Sequence, residues 1–238
     1  MTENSKIEWT THTFNPWIGC QHVSDGCKFC YAEEMMDKRY GRVVWGPHGK
    51  RERTAESTWK LPLRWAKAAN GRRPRVFCAS VADIFDNKAP KQWRADLFEL
   101  IGNTPELDWL LLTKRPENIR KMLPKEWGSG WNNVWLGATG ENQHYFDRRW
   151  RILQHIPAVV HFISYEPALG PLTLRGQDEL PDWIICGGES GRYARMMDPA
   201  WARALRDECN DRRVAFFMKQ MTKKTPTPDD LMVRQFPN

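Results

Sequence analysis

Short, nearly continuous apolar runs recur along the chain, and longer amphipathic stretches separate them. The apolar runs do not alternate with polar positions, which is typical of strands buried on both faces of a parallel sheet. They span residues 75–80, 108–113, 133–137, 159–164, 182–187 and 214–218. The amphipathic stretches span residues 90–102, 115–123, 142–155 and 199–212. The pattern therefore predicts alternating strands and helices, and two of the helices begin at or near a proline.

Strands that alternate with helices predict right-handed crossovers and a parallel sheet. With one more strand before Cys20, the chain has about six or seven strand–helix units, fewer than the eight of a closed barrel. The expected fold class is α/β, a partial (β/α)₆-type parallel barrel, with a doubly wound open sheet as the alternative. We expect a single domain over residues 1–238, with an insertion at about 39–73 and an extended, mobile tail from about 221.

The predicted insertion is rich in Gly, Lys and Arg and contains Trp45, Trp59 and Trp65. Residues 57–69 have the pattern of a helix that Ser57 or Thr58 would cap. Tryptophans among arginines could stack on bases and contact phosphates, so we expect this segment to line the mouth of a site.

The chain has 238 residues, a formal net charge of +7 and six cysteines. This positive balance favours an anionic partner, first of all nucleic acid, although a basic surface that binds nothing remains an alternative. No apolar run reaches the roughly 20 residues of a membrane span, and the first residues lack the apolar stretch of a secretory signal. We therefore expect a cytoplasmic location and no membrane partner.

Three of the cysteines, Cys20, Cys27 and Cys30, fall within eleven residues. In a reducing compartment such spacing favours metal binding or catalysis over disulfides. A [4Fe–4S] cluster held by three cysteines keeps one iron open to a further ligand. Zinc bound with His22 or His12, or a redox pair of Cys27 and Cys30, are the alternatives. The other three cysteines, which lie among apolar neighbours, are expected to be buried structural thiols.

Polar and charged residues follow every predicted strand. In a parallel sheet these positions emerge on one edge, where they can surround a polar ligand. The charged ones are Asp83, Lys114, Arg115, Glu141, Glu166, Glu189 and Lys219. Each has a structural alternative; Glu166, for example, could form an ion pair with Arg115.

The segment from Cys27 to Cys30 resembles the end of the radical S-adenosylmethionine (radical SAM) signature, in which an aromatic residue, here Phe29, precedes the last cysteine. The first gap is six residues long, against three in most of that family. Four longer motifs resemble those of the phage Gp37/Gp68 group, the three-Cys-motif proteins. They lie at residues 15–20, 112–116, 164–171 and 187–191.

The resemblance implies an enzyme that holds a [4Fe–4S] cluster and S-adenosylmethionine (SAM) and receives electrons from an external donor. The three clustered cysteines would bind iron, and Phe29 would lie near the adenine. Ser80 and Asp83 would meet the methionyl ammonium, Lys114 the carboxylate and Glu141 a ribose hydroxyl. Gly187 and Gly188 would allow the backbone to approach adenosine closely, and Glu189 would contact the cofactor or the substrate. Glu166 and Lys219 would be catalytic residues, and Gln220 would contact the substrate.

The implied activity is modification or rearrangement of a nucleotide or nucleic-acid base, as in phage-type DNA modification. The alternative from another class is a zinc-stabilised nucleic-acid-binding module without catalysis.

Overall fold

The computed structural model describes residues 4–223 and 225–237. The strands are β1 (His12–Thr13), β2 (Trp17–Ile18), β3 (Glu52–Arg53), β4 (Arg75–Cys78), β5 (Asp108–Thr113), β6 (Val134–Thr139), β7 (Val160–Tyr165), β8 (Trp183–Gly187) and β9 (Ala215–Gln220). The helices are α1 (Tyr31–Glu33), α2 (Glu56–Trp59), α3 (Leu61–Lys67), α4 (Lys91–Gly102), α5 (Pro116–Met122), α6 (Gln143–Leu153) and α7 (Pro199–Arg212). A π-helical stretch, Glu34–Arg39, directly continues α1.

Seven strands form one parallel sheet in the order β1-β4-β5-β6-β7-β8-β9. Each strand pairs in parallel with the one before it, from His12 opposite Val76 at one edge to Gly187 opposite Gln220 at the other. The order never reverses, whereas a doubly wound sheet reverses at its switch point. The curled, open parallel sheet is the partial barrel that the sequence predicts, and the doubly wound alternative is wrong.

The helices cover one face of the sheet, and their apolar residues form the main core with Val76, Leu111 and Ile184. On the other face, aromatic rings fill a second cluster around Trp183. Gly137 makes room for this filling, since a Cβ there would lie 2.3 Å from the ring of Phe162. Both faces of the strands are therefore buried, as their continuous apolar runs predict.

The predicted helix at 57–69 is instead two short helices, α2 and α3, that meet at Lys60. Its start also differs: Ala55 precedes α2, with no side-chain cap. The break reflects Pro62, which is placed in the first turn of α3, where a missing N–H costs least.

The tryptophans of residues 39–73 are mainly packing residues, which corrects their predicted role in base stacking. Trp65 is buried and stacks on the His12 ring at 4.3 Å. Trp59 packs edge-on against Phe14 and lies under the Arg53 guanidinium. Ring faces engaged in this way are not open to a nucleic-acid base.

The tail after β9 folds back on the sheet. Arg234 forms an antiparallel bridge with Phe217, and Leu231 is fully buried. Within the described part of the chain, no helix is both long enough and apolar enough to cross a membrane.

Candidate functional site

The segment that carries the three cysteines crosses the carboxyl edge of the parallel sheet. At its start, Gly19 forms a parallel bridge with Ala82, just beyond β4. Next to this bridge, the Asn15 side-chain oxygen accepts from the backbone N–H groups of Ser80 and Val81, at 2.7 and 3.0 Å. The cysteine loop (residues 20–30) is thus fixed against the ends of the first two strands of the sheet.

Asp83 and Arg115 form a buried ion pair that reaches Cys20. The Asp83 carboxylate accepts from the Thr113 hydroxyl, the Lys114 backbone N–H and the Arg115 guanidinium, which lies 2.8 Å away. The same guanidinium donates to the Cys20 sulfur, with N···S distances of 3.5 and 3.6 Å. A charged residue after β5 therefore contacts the first cysteine of the loop.

Opposing effects act on the pKa of the Cys20 thiol. Burial and the nearby Asp83 carboxylate raise the pKa of the Cys20 thiol to about 12, although Arg115 acts in the lowering direction. Burial also raises the pKa of Cys30. Burial alone would lower the pKa of Arg115, but Asp83 and Cys20 raise it overall, so its guanidinium stays charged.

Glu141 is a second buried charge at this edge, and it is fully enclosed. Its carboxylate accepts from Arg149 at 2.7 Å and from the Ser24 hydroxyl at 2.5 Å, and Lys114 Nζ lies 3.6 Å away. Burial alone would raise the pKa of Glu141, but the two cations, Lys114 and Arg149, outweigh it and hold the pKa below its usual value. A Cβ on Gly26 would lie 2.5 Å from the Glu141 side chain, so the cysteine loop needs glycine there.

Glu166 and Lys219 face each other across the ends of β7 and β9. Their Oε1 and Nζ atoms are 2.6 Å apart, and both side chains keep partial solvent exposure. Gly187 admits this pair, since a Cβ there would lie 2.7 Å from the Glu166 carboxylate. Gly188 likewise allows the backbone of Thr222 to approach closely. The Gln220 side chain donates to the Gly188 carbonyl at 3.0 Å.

The loop after β8 is tied to the cysteine loop through Arg195. Its guanidinium pairs with Glu189 and also donates to the Asp25 carbonyl at 2.9 Å. The Arg195 guanidinium also lies over the Phe29 ring, and the Tyr193 ring is 6.1 Å from the ring of Phe29. The charged residues predicted at the ends of β4, β5, β6 and β8 thus each contact the cysteine loop or a residue that touches it.

The chemistry of the three cysteines suits a soft metal centre. All six cysteines are free thiols, and Cys78, Cys186 and Cys209 are fully buried, as predicted for structural thiols. Across residues 4–223 and 225–237, no set of three His, Cys, Asp or Glu side chains is arranged to hold a metal ion. The support for a metal centre therefore comes from the type of donor atom, thiol sulfur, and from the position of the cysteine loop at the carboxyl edge of the sheet.

The two histidines considered as zinc ligands have other contacts. His22 Nε2 lies 2.5 Å from a Glu33 carboxylate oxygen. His12 belongs to β1 and stacks on Trp65 in the protein interior. The structure thus gives no support to a zinc site of three cysteines and one histidine.

Sequence analysis missed Asn15, Thr113, Arg149 and Arg195, which hold the predicted residues in place. Asn15 and Thr113 lie inside two of the motifs that carry the family resemblance, so a signal existed for both. Arg149 and Arg195 lie seven and four residues beyond the polar strand ends 137–142 and 187–191. They pair with carboxylates eight and six residues before them, Glu141 and Glu189, but neither position belongs to a motif or a predicted strand end.

The fold is similar to that of spore photoproduct lyase. One structure of this enzyme matches at 11% identity with a TM-score of 0.57 and covers 93% of this chain and 79% of that one. Another, complexed with dinucleoside spore photoproduct, matches at 12% identity with a TM-score of 0.56 and coverages of 93% and 78%. A third, with bound AdoMet and dinucleoside spore photoproduct, matches at 10% identity with a TM-score of 0.52, covering 92% of this chain and 58% of that chain. These likenesses establish the fold.

The comparison with curated proteins gave no match. One family model, described as "Protein of unknown function (DUF5131)", matches residues 4–233. The resemblance to the phage Gp37/Gp68 group stays a prediction. The chain belongs to the DUF5131 family.

Proposed function

We propose that this protein is a radical SAM enzyme that modifies a base of a nucleotide or nucleic acid. One observation carries the proposal: three free cysteines lie on a single loop across the carboxyl edge of a partial parallel barrel. Barrels of parallel strands place their active sites at this edge. The shared fold with spore photoproduct lyase, solved with AdoMet and a dinucleoside, supports both the cofactor and the substrate class.

Cys20, Cys27 and Cys30 would hold a [4Fe–4S] cluster, since such clusters are bound by cysteine thiolates. Arg115 supports this assignment, because its N–H groups point at the Cys20 sulfur and favour the thiolate over the thiol. With the cluster and SAM bound, the site would supply hydrogen abstraction from an unactivated carbon by the adenosyl group of SAM, with an electron from an external donor and 5′-deoxyadenosine as the product.

Lys114 is our candidate for the methionyl carboxylate, because its ammonium is partly exposed at the edge of the sheet. Ser80, half-buried and bonded to Asn15, is the candidate acceptor for the methionyl ammonium. The carboxylate of Asp83 is already bound to protein donors, and the same holds for Glu141. In our proposal these two therefore position Arg115, Lys114 and the cysteine loop.

The adenosine end of SAM is assigned to the loop after β8. Phe29 offers a ring for the adenine, and Gly187 and Gly188 keep side-chain bulk out of this part of the edge. Glu189 acts through Arg195, which it holds against the cysteine loop.

Glu166 and Lys219 are assigned to the substrate. Lys219 Nζ donates to Glu166 Oε1 across 2.6 Å. The ammonium can stabilise negative charge at a base carbonyl oxygen, and Glu166 keeps it aimed there. Gln220 adds an amide at the same strand end. Base rearrangement, as in phage-type DNA modification, is the specific reaction we propose.

The test is anaerobic purification with iron, sulfide and zinc analysis, followed by dithionite reduction with SAM and chromatography for 5′-deoxyadenosine. We expect iron and sulfide and the formation of 5′-deoxyadenosine. Cys30→Ala should abolish both, whereas Cys209→Ala, which removes a buried thiol far along the chain, should keep both. Stoichiometric zinc without iron, or an iron protein that leaves SAM intact, would overturn the proposal.

A further inference from the structure

A pair of aromatic rings joins the cysteine loop to the loop after β8. Tyr193 is 62% exposed, and its ring centroid lies 6.1 Å from that of Phe29. Gly191 brings the two loops together, because a Cβ there would already be 3.2 Å from the Phe29 carbonyl. An isolated exposed aromatic residue needs no explanation, but a pair built across two loops at the edge of a site does.

Cations surround the two rings. Lys28 Nζ lies 5.4 Å from the Phe29 centroid, and the Arg192 guanidinium carbon lies 5.4 Å from that of Tyr193. Within the described residues, neither Lys28 nor Arg192 forms an ion pair. The third cation, Arg195, is neutralised by Glu189. The exposed Tyr193 ring, backed by the half-buried Phe29 ring, thus stands beside two cations that form no ion pair with a carboxylate among the described residues.

This combination has one fitting partner. Proteins bind single-stranded nucleic acid through aromatic rings that stack on bases and cations that pair with phosphates. The net charge of +7 points the same way. A duplex keeps its bases stacked on one another, so a tyrosine face can take up a base only from an unpaired strand or from one turned out of the helix.

We propose that Tyr193, backed by Phe29 and flanked by Lys28 and Arg192, is a stacking surface for an unpaired base of a nucleic-acid strand. The strand would run over the loop after β8, with its phosphates near Lys28 and Arg192. A neighbouring base would then face the end of the strands where Glu166 and Lys219 meet. The inference rests on the proposed function for the class of substrate, and it assigns that substrate to a polymer and not to a free nucleotide.

The experiment is fluorescence anisotropy with a labelled single strand of about 12 nucleotides, within the range that such surfaces cover. DNA and RNA single strands and a matching duplex are compared, without SAM. Tyr193→Ala should weaken binding of the single strand by about 5- to 150-fold, the range of one lost stacking contact. Tyr193→Phe, which keeps the ring, should bind as the unaltered protein does.

Phe236→Ala is the matched control. Its ring also lies under a guanidinium, that of Arg75, but at the opposite end of the strands. This variant should bind the single strand as the unaltered protein does. Lys28→Ala and Arg192→Ala should each lower the slope of log K against log salt by about 0.7, the value for one phosphate of a single strand.

Equal single-strand affinity of Tyr193→Ala and the unaltered protein would overturn the inference, as would equal affinity for duplex and single strand. Its failure is separable from that of the proposed function. If Tyr193→Ala loses single-strand binding and the unaltered protein never forms 5′-deoxyadenosine, the stacking surface is supported and the enzyme proposal is overturned. Formation of 5′-deoxyadenosine together with unchanged binding supports the enzyme proposal and overturns the stacking surface.

Discussion

The two sides of the candidate site are built differently. On the side of β1 to β6, Asn15, Asp83, Arg115 and Glu141 are at most 5% exposed and are bonded to the protein, while Lys114 and Ser80 keep partial exposure. On the side of β7 to β9, Glu166 and Lys219 are bonded mainly to each other, and both remain partly exposed. We call these the closed side and the open side.

The difference in exposure separates the buried groups that position the cysteine loop from the partly exposed groups, Lys114 and Ser80 among them, that our proposal assigns to a ligand. A buried charge is stable only when it is paired and hydrogen-bonded, so each group of the closed side depends on several neighbours. A partly exposed pair gives little stability and is free to exchange its partner for a ligand. The closed side therefore holds the cysteine loop, and in our proposal the substrate binds at the open side.

The two sides should differ most in how much a matched neutral substitution lowers the free energy of unfolding. Asp83→Asn leaves the buried Arg115 cation without its carboxylate and should cost about 3 to 5 kcal/mol of unfolding free energy. Glu166→Gln makes the same chemical change on the open side and should cost about 1 kcal/mol or less. Urea unfolding of both variants measures this, and equal losses would remove the distinction between the two sides.

SAM affinity gives the next test. Lys114→Met removes a charged donor and should weaken SAM binding by about 10- to 150-fold, as expected for a hydrogen bond to a charged group. Lys219→Met should leave SAM affinity unchanged, because Lys219 is assigned to the substrate. Calorimetric titration of the reconstituted protein compares them, and the opposite order would exchange the two assignments.

The glycine under Glu141 offers a steric test. Gly26→Ala places a methyl group 2.5 Å from the Glu141 side chain and should destabilise the protein by about 1 to 3 kcal/mol. Gly102→Ala, at the end of α4, meets only the edge of the Trp131 ring at 3.8 Å and should change stability by at most about 1 kcal/mol. Thermal unfolding distinguishes them, and a neutral Gly26→Ala would show that the cysteine loop does not pack on Glu141.

The smallest effect concerns acid stability. The folded-state pKa of Glu141 lies below its ordinary value of 4.5, so its contribution is present above that pH and is lost as pH falls through the folded pKa. Glu141→Gln should be less stable at neutral pH but should lose less further stability below about pH 4.5. Unfolding curves across this window measure the slope, and parallel curves for the two proteins would contradict the assignment.

The sequence predicts the framework of the molecule well, because burial on both faces leaves a strong local pattern. Strand β5 begins and ends where its apolar run does, Pro199 begins α7 as predicted, and Pro90 directly precedes α4. The first strand, β1, has only two residues, too few for a pattern. The predicted helix at 57–69 runs across the break between α2 and α3, although Pro62 is a local signal for that break.

The residues of the site are predicted less completely than their positions along the chain. Strand ends are local features, so Asp83, Glu141 and Glu166 can be selected as candidates. Which of them is enclosed and which is exposed depends on how other elements pack on them, as Ser24, 117 residues away, packs on Glu141. Arg149 encloses Glu141 from the middle of a helix, and nothing in the sequence around it marks that arginine.

The bond from Arg195 to the Asp25 carbonyl, with the bridge between Gly19 and Ala82, anchors the cysteine loop at two separate walls of the open barrel. The loop therefore connects two parts of the barrel and also carries the three thiols. Grafting it onto another scaffold would transfer the thiols without the arginine, the carboxylate and the glycine gap that fix their direction. A transfer of the three-cysteine loop to another protein would therefore have to include the strand ends that contact it.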